Sequence, residues 1–324
     1  MSEHPRDRFD LVPDAGAEVA FIDALERGRL HHAWLLCGVE GLGKATFAYR
    51  AARRLLGAAP DAGRGPLGTR PGDPVSRLIS AQSHPDLLVL ERLVEGGKTK
   101  KSISVDQARD LPEFFSKSPS QAEYRVAIVD AADDLNINAA NALLKILEEP
   151  PERGVLFLVT HAPGRLLATI RSRCRRLAFP VWPMTALADL VRSRTGLDDA
   201  EAARIAGMAG GSPGAALNLS TAATLEIDAL VRGWVDSPSV DRAEQLAMAD
   251  TFRGGEGQAK FDMVLDRLMA AVKTRAVQEG GGQGARWAEL WTRLSELPDR
   301  TAGLNMDRGD ALQGALADLA RTRG

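Results

Sequence analysis

Cysteine is almost missing from this chain of 324 residues: Cys37 and Cys174 are the whole complement, and they lie far apart. Two thiols so placed cannot build a disulfide framework or a four-cysteine zinc site, and their scarcity suits a reducing compartment, so a cytoplasmic location is expected. An excess of either charge is missing too. Lys and Arg number 41 against 43 for Asp and Glu, a net charge of −2, which neither advertises a nucleic-acid surface nor excludes a local one. No stretch reaches the roughly 18 apolar residues of a membrane span, and the opening MSEHPRDRFD is charged where a secretion signal would be apolar. A membrane-spanning or exported protein is therefore not expected. What is present is a chain with 44% hydrophobic residues, enough for an ordinary core and long enough for two or three domains.

The first half alternates between two patterns. AWLLCG reads as a buried strand running into GVEGLGKAT, and the next residues place Phe47, Ala48, Ala51, Leu55 and Leu56 on one helical face. Residues 57–78, rich in Gly and Pro, are expected to lack regular structure. PDLLVLE, YRVAIVDAAD, GVLFLVTHAP and RRLAFP read as further strands. Between them lie a helix opened by a capping box of Ser104 and Gln107 and a second helix, INAANALLKILEE, stopped by Pro150 and Pro151. Strands separated by helices predict a parallel sheet covered on both faces, with ligands at the carboxyl ends of the strands. From about residue 184 every pattern is helical. A boundary is expected near residues 220–225, with flexible connections at GGEG and EGGGQG.

The stretch Gly38 to Lys44 has the spacing of a phosphate-binding loop. Glycines let backbone N–H groups approach the oxygens, the helix N-terminus adds partial positive charge, and Lys44 supplies a point charge. The hydroxyl that normally follows the lysine and ligates Mg²⁺ is replaced by Ala45, and Thr46 is rotated by about 100° from that position. Asp130 ends an apolar strand, where a metal-binding acid belongs. Asp133 and Asp134 are expected to complement the dipole of the following helix. Arg171, Arg173, Arg175 and Arg176 of RSRCRR read, on composition alone, as a solvated basic face. His31 and His32 lack Cys or acid partners and read as boundary side chains. Trp287 and Trp291, one helical turn apart, suit core or subunit-interface packing better than base stacking, and Cys174 suits a small buried hydrophobe better than a nucleophile.

The run LEEPPERGVLFLVTHAPGRLLATIRSRCRRLAF, with ANALLK before it and GLGKATFAYR upstream, resembles bacterial clamp-loader subunits of the AAA+ superfamily over residues 20–220. Through LNMDRGDAL the likeness extends more loosely beyond. The resemblance implies an α/β fold: an AAA+ P-loop parallel-sheet domain over residues 1–182, a small helical lid over 183–222, and a C-terminal helical collar over 223–324. It makes Gly38, Gly41, Gly43 and Lys44 the phosphate loop, Asp130 the remnant of the metal-binding acid, and Thr160 the sensor at the end of the fourth strand. Ser172-Arg173-Cys174 becomes the motif whose arginine reaches into a neighbouring subunit's ATP site. Hydrolysing members carry Glu after the acid and an arginine on the lid helix after a GS turn. This chain has Ala131 and Pro213-Gly214 there.

Loss of three catalytic groups, at Ala45, Ala131 and Gly214, beside retention of Arg173 implies a subunit that lends an arginine without hydrolysing ATP itself. It would form part of a DNA-directed DNA polymerase holoenzyme, a nucleotidyltransferase, while its own loop is an empty relic or a weak ATP or ADP site and the catalytic ATP belongs to the neighbour. The implied partners are the ATPase subunits gamma/tau and the delta subunit, with the sliding clamp and primed DNA reached through the complex, and no membrane. Many relatives carry a cysteine-rich zinc insertion after the first helix; GAAPDAGRGPLGTRPGDPVSR has no cysteine, so no zinc or other metal is expected. Two rivals stay open: a self-sufficient ATPase in which Thr46 and Asp133 or Asp134 substitute for the missing groups, and a purely architectural scaffold in which Arg173 is surface decoration.

Overall fold

In a computed structural model of the chain, the described residues are 4–10, 15–95, 98–100, 102–237, 239–255 and 257–323. They fall into two compact units, Met1–Leu217 and Asn218–Gly324. In chain order the first contains α1 (Ala15–Glu26), β1 (Ala33–Cys37), α2 (Lys44–Leu55), α3 (Pro74–Ser80), β2 (Leu87–Glu91) and a small hairpin of β3 (Val94–Glu95) and β4 (Lys98–Thr99). These are followed by α4 (Val105–Ser116), β5 (Arg125–Asp130), α5 (Ile137–Glu148), β6 (Gly154–Thr160), α6 (Ala168–Arg171) and β7 (Arg175–Ala178), then α7 (Met184–Thr195), α8 (Asp199–Met208) and all but the last two residues of α9 (Pro213–Leu219).

Five strands form one parallel sheet in the order β2-β5-β6-β1-β7. Because successive side chains on a strand point to opposite faces, each central strand feeds two core layers. Trp34 and Leu36 of β1, Val126 and Ile128 of β5, and Phe157 and Val159 of β6 pack with Phe21 and Phe47 on one face. Leu35, Ala127, Val129, Leu156 and Leu158 pack with Leu111, Leu143 and Leu147 on the other. The aromatic rings of Phe21, Trp34, Phe47 and Phe157 meet at tilted or edge-on angles, the arrangement their quadrupoles favour. The capping box of Ser104 and Gln107 forms at the start of α4.

Residues 57–78 are more ordered than their composition suggests. They hold a 3-10 turn at Ala62–Arg64, and Asp73 caps α3 through the amides of Val75 and Ser76. The reason is an ion pair that hydrophobic periodicity cannot reveal. Glu18 of α1 and Arg50 of α2 meet at 2.6 Å, both almost fully buried. Glu18 also accepts from the Leu67 amide, while Arg50 donates to the carbonyls of Arg64 and Phe9. Leu67 is wholly buried above them. A cysteine-free insertion is thus anchored by charge and carbonyls, and removing one partner of such a pair costs about 3–5 kcal/mol.

The second unit is helical: α10 (Ala222–Asp236), α11 (Arg242–Asp250), α12 (Gly257–Glu279), α13 (Gly281–Gly303) and α14 (Arg308–Arg323). Val231, Trp234, Phe261, Leu268, Trp287, Leu290, Leu294 and Leu316 form its core. The two tryptophans of α13 separate here. Trp287 is buried with its indole N–H on Glu279, whereas Trp291 is 39% exposed. EGGGQG is not a flexible connection. A single residue separates α12 from α13, the amide of Gly280 donates to Ala276 O, and Gln283 reaches the carbonyl of Thr322, so the glycines make a tight antiparallel turn. At GGEG, of which Glu256 lies outside the described residues, Gly257 opens α12 and its amide donates to Gly254 O.

Candidate functional site

The loop between β1 and α2 is filled by the protein itself. Lys44, only 3% exposed, donates through Nζ to Gly38 O at 2.7 Å and Val39 O at 2.5 Å, so loop carbonyls take the place that phosphate oxygens would occupy. Burial lowers its pKa to about 8, against the opposing pull of Asp130, Glu40 and Asp133. From the other side the start of α9 closes on the loop: Ser212 Oγ donates to Glu40 O at 2.8 Å, and the amide of Gly214 donates to Gly41 O at 2.9 Å. Gly41 has φ +78, and a Cβ there would run into Ser212 Oγ; a Cβ on Gly214 would sit 2.8 Å from Gly41 Cα. Two glycines are therefore needed for the backbones to touch. GGSPG is the latch, and its helix starts directly at Pro213.

Asp130 ends β5 beside this loop. Burial raises its pKa to about 6; neighbouring Glu91, its register partner on β2, pushes the same way, and Lys44 pulls it down. Ala131 follows, buried and without a polar group. Asp133 corrects the sequence expectation. Its carboxylate does not serve the dipole of α5, which is capped instead by Asn136 on the amide of Ala139. It accepts from Thr160 Oγ1 at 2.8 Å, from the His161 amide at 2.6 Å and from the Ala162 amide at 3.1 Å. Burial works against its charge, but these donors hold its pKa below the usual value. Asp134 pairs with Arg92 at 3.1 Å. Thr160 thus spends its hydroxyl on Asp133, and Thr46 is buried. The groups that would substitute in a self-sufficient ATPase are already occupied or enclosed.

Gly38, Gly41, Gly43, Lys44, Asp130 and Thr160 converge at the carboxyl end of the sheet, because β1, β5 and β6 all finish there. Arg173 does not join them. It precedes β7, whose Arg175 lies in register with Trp34 near the amino end of β1. From Trp34 to Gly38 the strand alone spans about 13 Å at 3.3 Å per residue, so Arg173 lies at the far end of the sheet from its own loop. Its side chain is 36% exposed; Nη1 donates to Thr169 O at 3.1 Å and Nη2 meets Glu148 at 2.9 Å. Ser172 Oγ donates to Thr169 O, closing the turn. Cys174 packs against the core, where burial pushes its thiol up to about 12, far from a nucleophile's range. Arg175 lies over the Trp34 ring at 4.9 Å, so the basic run is not uniformly solvated. Among the described residues no group of three or more His, Cys, Asp or Glu could hold a metal ion, and no helix is long and apolar enough to cross a membrane.

Sequence reasoning missed Ser212, Glu148 and the partners of Arg50. The two charged residues carried a faint signal: an arginine amid the apolar positions of α2 needs a counter-ion, and an acid ends the helix before Pro150. Ser212 gave none, since nothing local shows what a loop serine will touch.

A parallel sheet in this order, with a glycine loop after β1, an acid ending β5, a polar residue ending β6 and an arginine ahead of β7, defines a P-loop domain of the AAA+ class. Comparison with known proteins narrows the class. The family described as "DNA polymerase III, delta subunit" matches residues 15–182. The DNA polymerase III subunit delta' of Pseudomonas aeruginosa is 32% identical over 276 residues, which covers 85% of this chain and 81% of that protein. Its counterpart in Escherichia coli K12 is 38% identical over 210 residues, 64% of this chain and 59% of that one. A crystal structure of a DNA polymerase III gamma subunit-related protein from Thermotoga maritima aligns over 94% of this chain and 100% of its own, with a TM-score of 0.50 and 19% identity, a likeness of fold. The chain belongs to the delta' family of DNA polymerase III subunits.

Proposed function

We propose that the protein is a non-hydrolysing clamp-loader subunit that offers Arg173 in trans to ATP bound by a neighbouring subunit, during loading of the sliding clamp onto primed DNA in the cytoplasm. One observation carries this: the phosphate loop is closed by its own carbonyls and the Ser212–Gly214 latch, while the partly exposed Arg173 sits at the opposite end of the sheet, out of reach of that loop. In phosphoryl transfer, negative charge spreads over the γ-phosphate oxygens, and an arginine delivered by a neighbour accelerates it by roughly 10³- to 10⁵-fold. The guanidinium is suited to that task because it stays charged and presents planar donors. Residues 183–222 would act as the lid and residues 223–324 as a collar holding the subunit beside gamma/tau and delta.

The test uses the isolated chain and the reconstituted complex. Alone, the protein is expected to show no ATP turnover and no saturable nucleotide binding by calorimetry. In the complex with clamp and primed DNA, Arg173→Ala lowers the ATPase rate by orders of magnitude. Turnover by the isolated chain that vanishes in Lys44→Ala would establish the self-sufficient ATPase instead.

A further inference from the structure

Resting on the trans-arginine role above, we propose that Glu148 is a positioning residue that holds Arg173 retracted on its own subunit until a neighbour's triphosphate competes for it. Both terminal nitrogens of Arg173 carry partners from this chain: Nη2 meets Glu148 Oε1 at 2.9 Å, and Nη1 donates to the carbonyl of Thr169. Glu148 is the last residue of α5, so its carboxylate adds to the partial negative charge that a helix concentrates at its C-terminus. The guanidinium is therefore held at two points, by a hydrogen bond to a carbonyl and by an ion pair with a carboxylate.

Exposure makes the hold reversible. The two side chains are 36% and 51% exposed, and an ion pair so open to water is weak enough for a triphosphate of higher charge to displace it. A buried carboxylate would trap the arginine. An arginine with no partner would instead be free to engage a neighbour's ATP even in an idle complex. Pairing with Glu148 lies between these limits, and it makes delivery depend on the neighbour's nucleotide being brought close.

The variant Glu148→Gln keeps the side-chain shape and removes the charge. In the reconstituted complex, the ATPase rate without clamp and DNA is expected to rise roughly two- to fivefold, the range of an exposed ion pair, while the clamp- and DNA-stimulated maximal rate stays within twofold. Glu148→Asp, which keeps the charge, should stay nearer the wild-type idle rate. A structural readout independent of catalysis is nitrogen NMR of the Arg173 guanidinium in the isolated chain, where rotation about Cζ–Nε should quicken in Glu148→Gln. An unchanged or lower idle rate in Glu148→Gln, alongside a strong loss in Arg173→Ala, overturns the retracting role and leaves the trans arginine standing. No loss in Arg173→Ala overturns both. Unchanged guanidinium rotation likewise contradicts the pairing.

Discussion

The two ends of the sheet treat their cations in opposite ways. At the carboxyl end Lys44 is buried, bonded to two carbonyls of its own loop and latched under Ser212 and Gly214; at the amino end Arg173 is in contact with water and held by an exposed carboxylate. The fold has kept the geometry of a nucleotide site where it serves packing, and an accessible charge where it can serve a partner. Substitutions at one end should therefore be felt as stability, and at the other as activity of the assembled complex.

The largest expected effect falls on the exposed end. Arg173→Ala should reduce the stimulated ATPase of the complex about 10³-fold or more while shifting the isolated chain's urea midpoint by less than about 0.5 kcal/mol equivalent. A large stability loss instead would mean that Arg173 is structural and would erase the contrast. At the closed end, Gly41→Ala forces a side chain into φ +78 and against Ser212; a destabilisation of about 3 kcal/mol is expected from strain and overpacking. Equal stability would show the latch to be loose. Ser212→Ala, which removes the hydrogen bond to Glu40 and the acceptor of the Ala215 amide, should cost about 1–2 kcal/mol in the same melts.

The most diagnostic effects depend on pH. Asp130 ionises near 6 when folded and near 3.8 when unfolded, so the folded state binds the extra proton between those values and its contribution to stability falls as pH rises from about 4 to 6. Lys44 behaves oppositely at higher pH. Its folded pKa of about 8 lies below the ordinary 10.5, so the unfolded chain binds more protons in that window and stability rises from about pH 8 to 10.5. In urea melts across pH 4 to 10.5, Asp130→Asn and Lys44→Met should each lose the slope belonging to that residue and, because the two charges attract, widen the slope of the other. Slopes that persist in both variants would show that neither group is buried as described.

The parallel sheet was legible because its strands are short apolar runs separated by helices, and each run from AWLLC to RRLA became a strand. The phosphate loop was legible from glycine spacing, and the missing Ala45 hydroxyl from one position in that spacing. What could not be read was the company each polar group keeps. Asp133 looked like a helix-start acid because two acids precede an apolar helical pattern, yet backbone amides from the end of β6, nearly thirty residues on, claim it. Ser212 lies 172 residues from Glu40. The glycines at 280–282 looked flexible because composition records conformational freedom and not the hydrogen bonds that remove it. Long-range polar partners leave no periodic trace, and Arg173's position relative to its own loop follows only from the register of β7 with β1.

The most direct measurement sets the two cations against each other in one assay: the clamp- and DNA-stimulated ATPase rate of the complex reconstituted with Lys44→Ala or with Arg173→Ala. Loss of activity with Arg173→Ala and near-normal activity with Lys44→Ala is the predicted result. Loss with Lys44→Ala and normal activity with Arg173→Ala would contradict it.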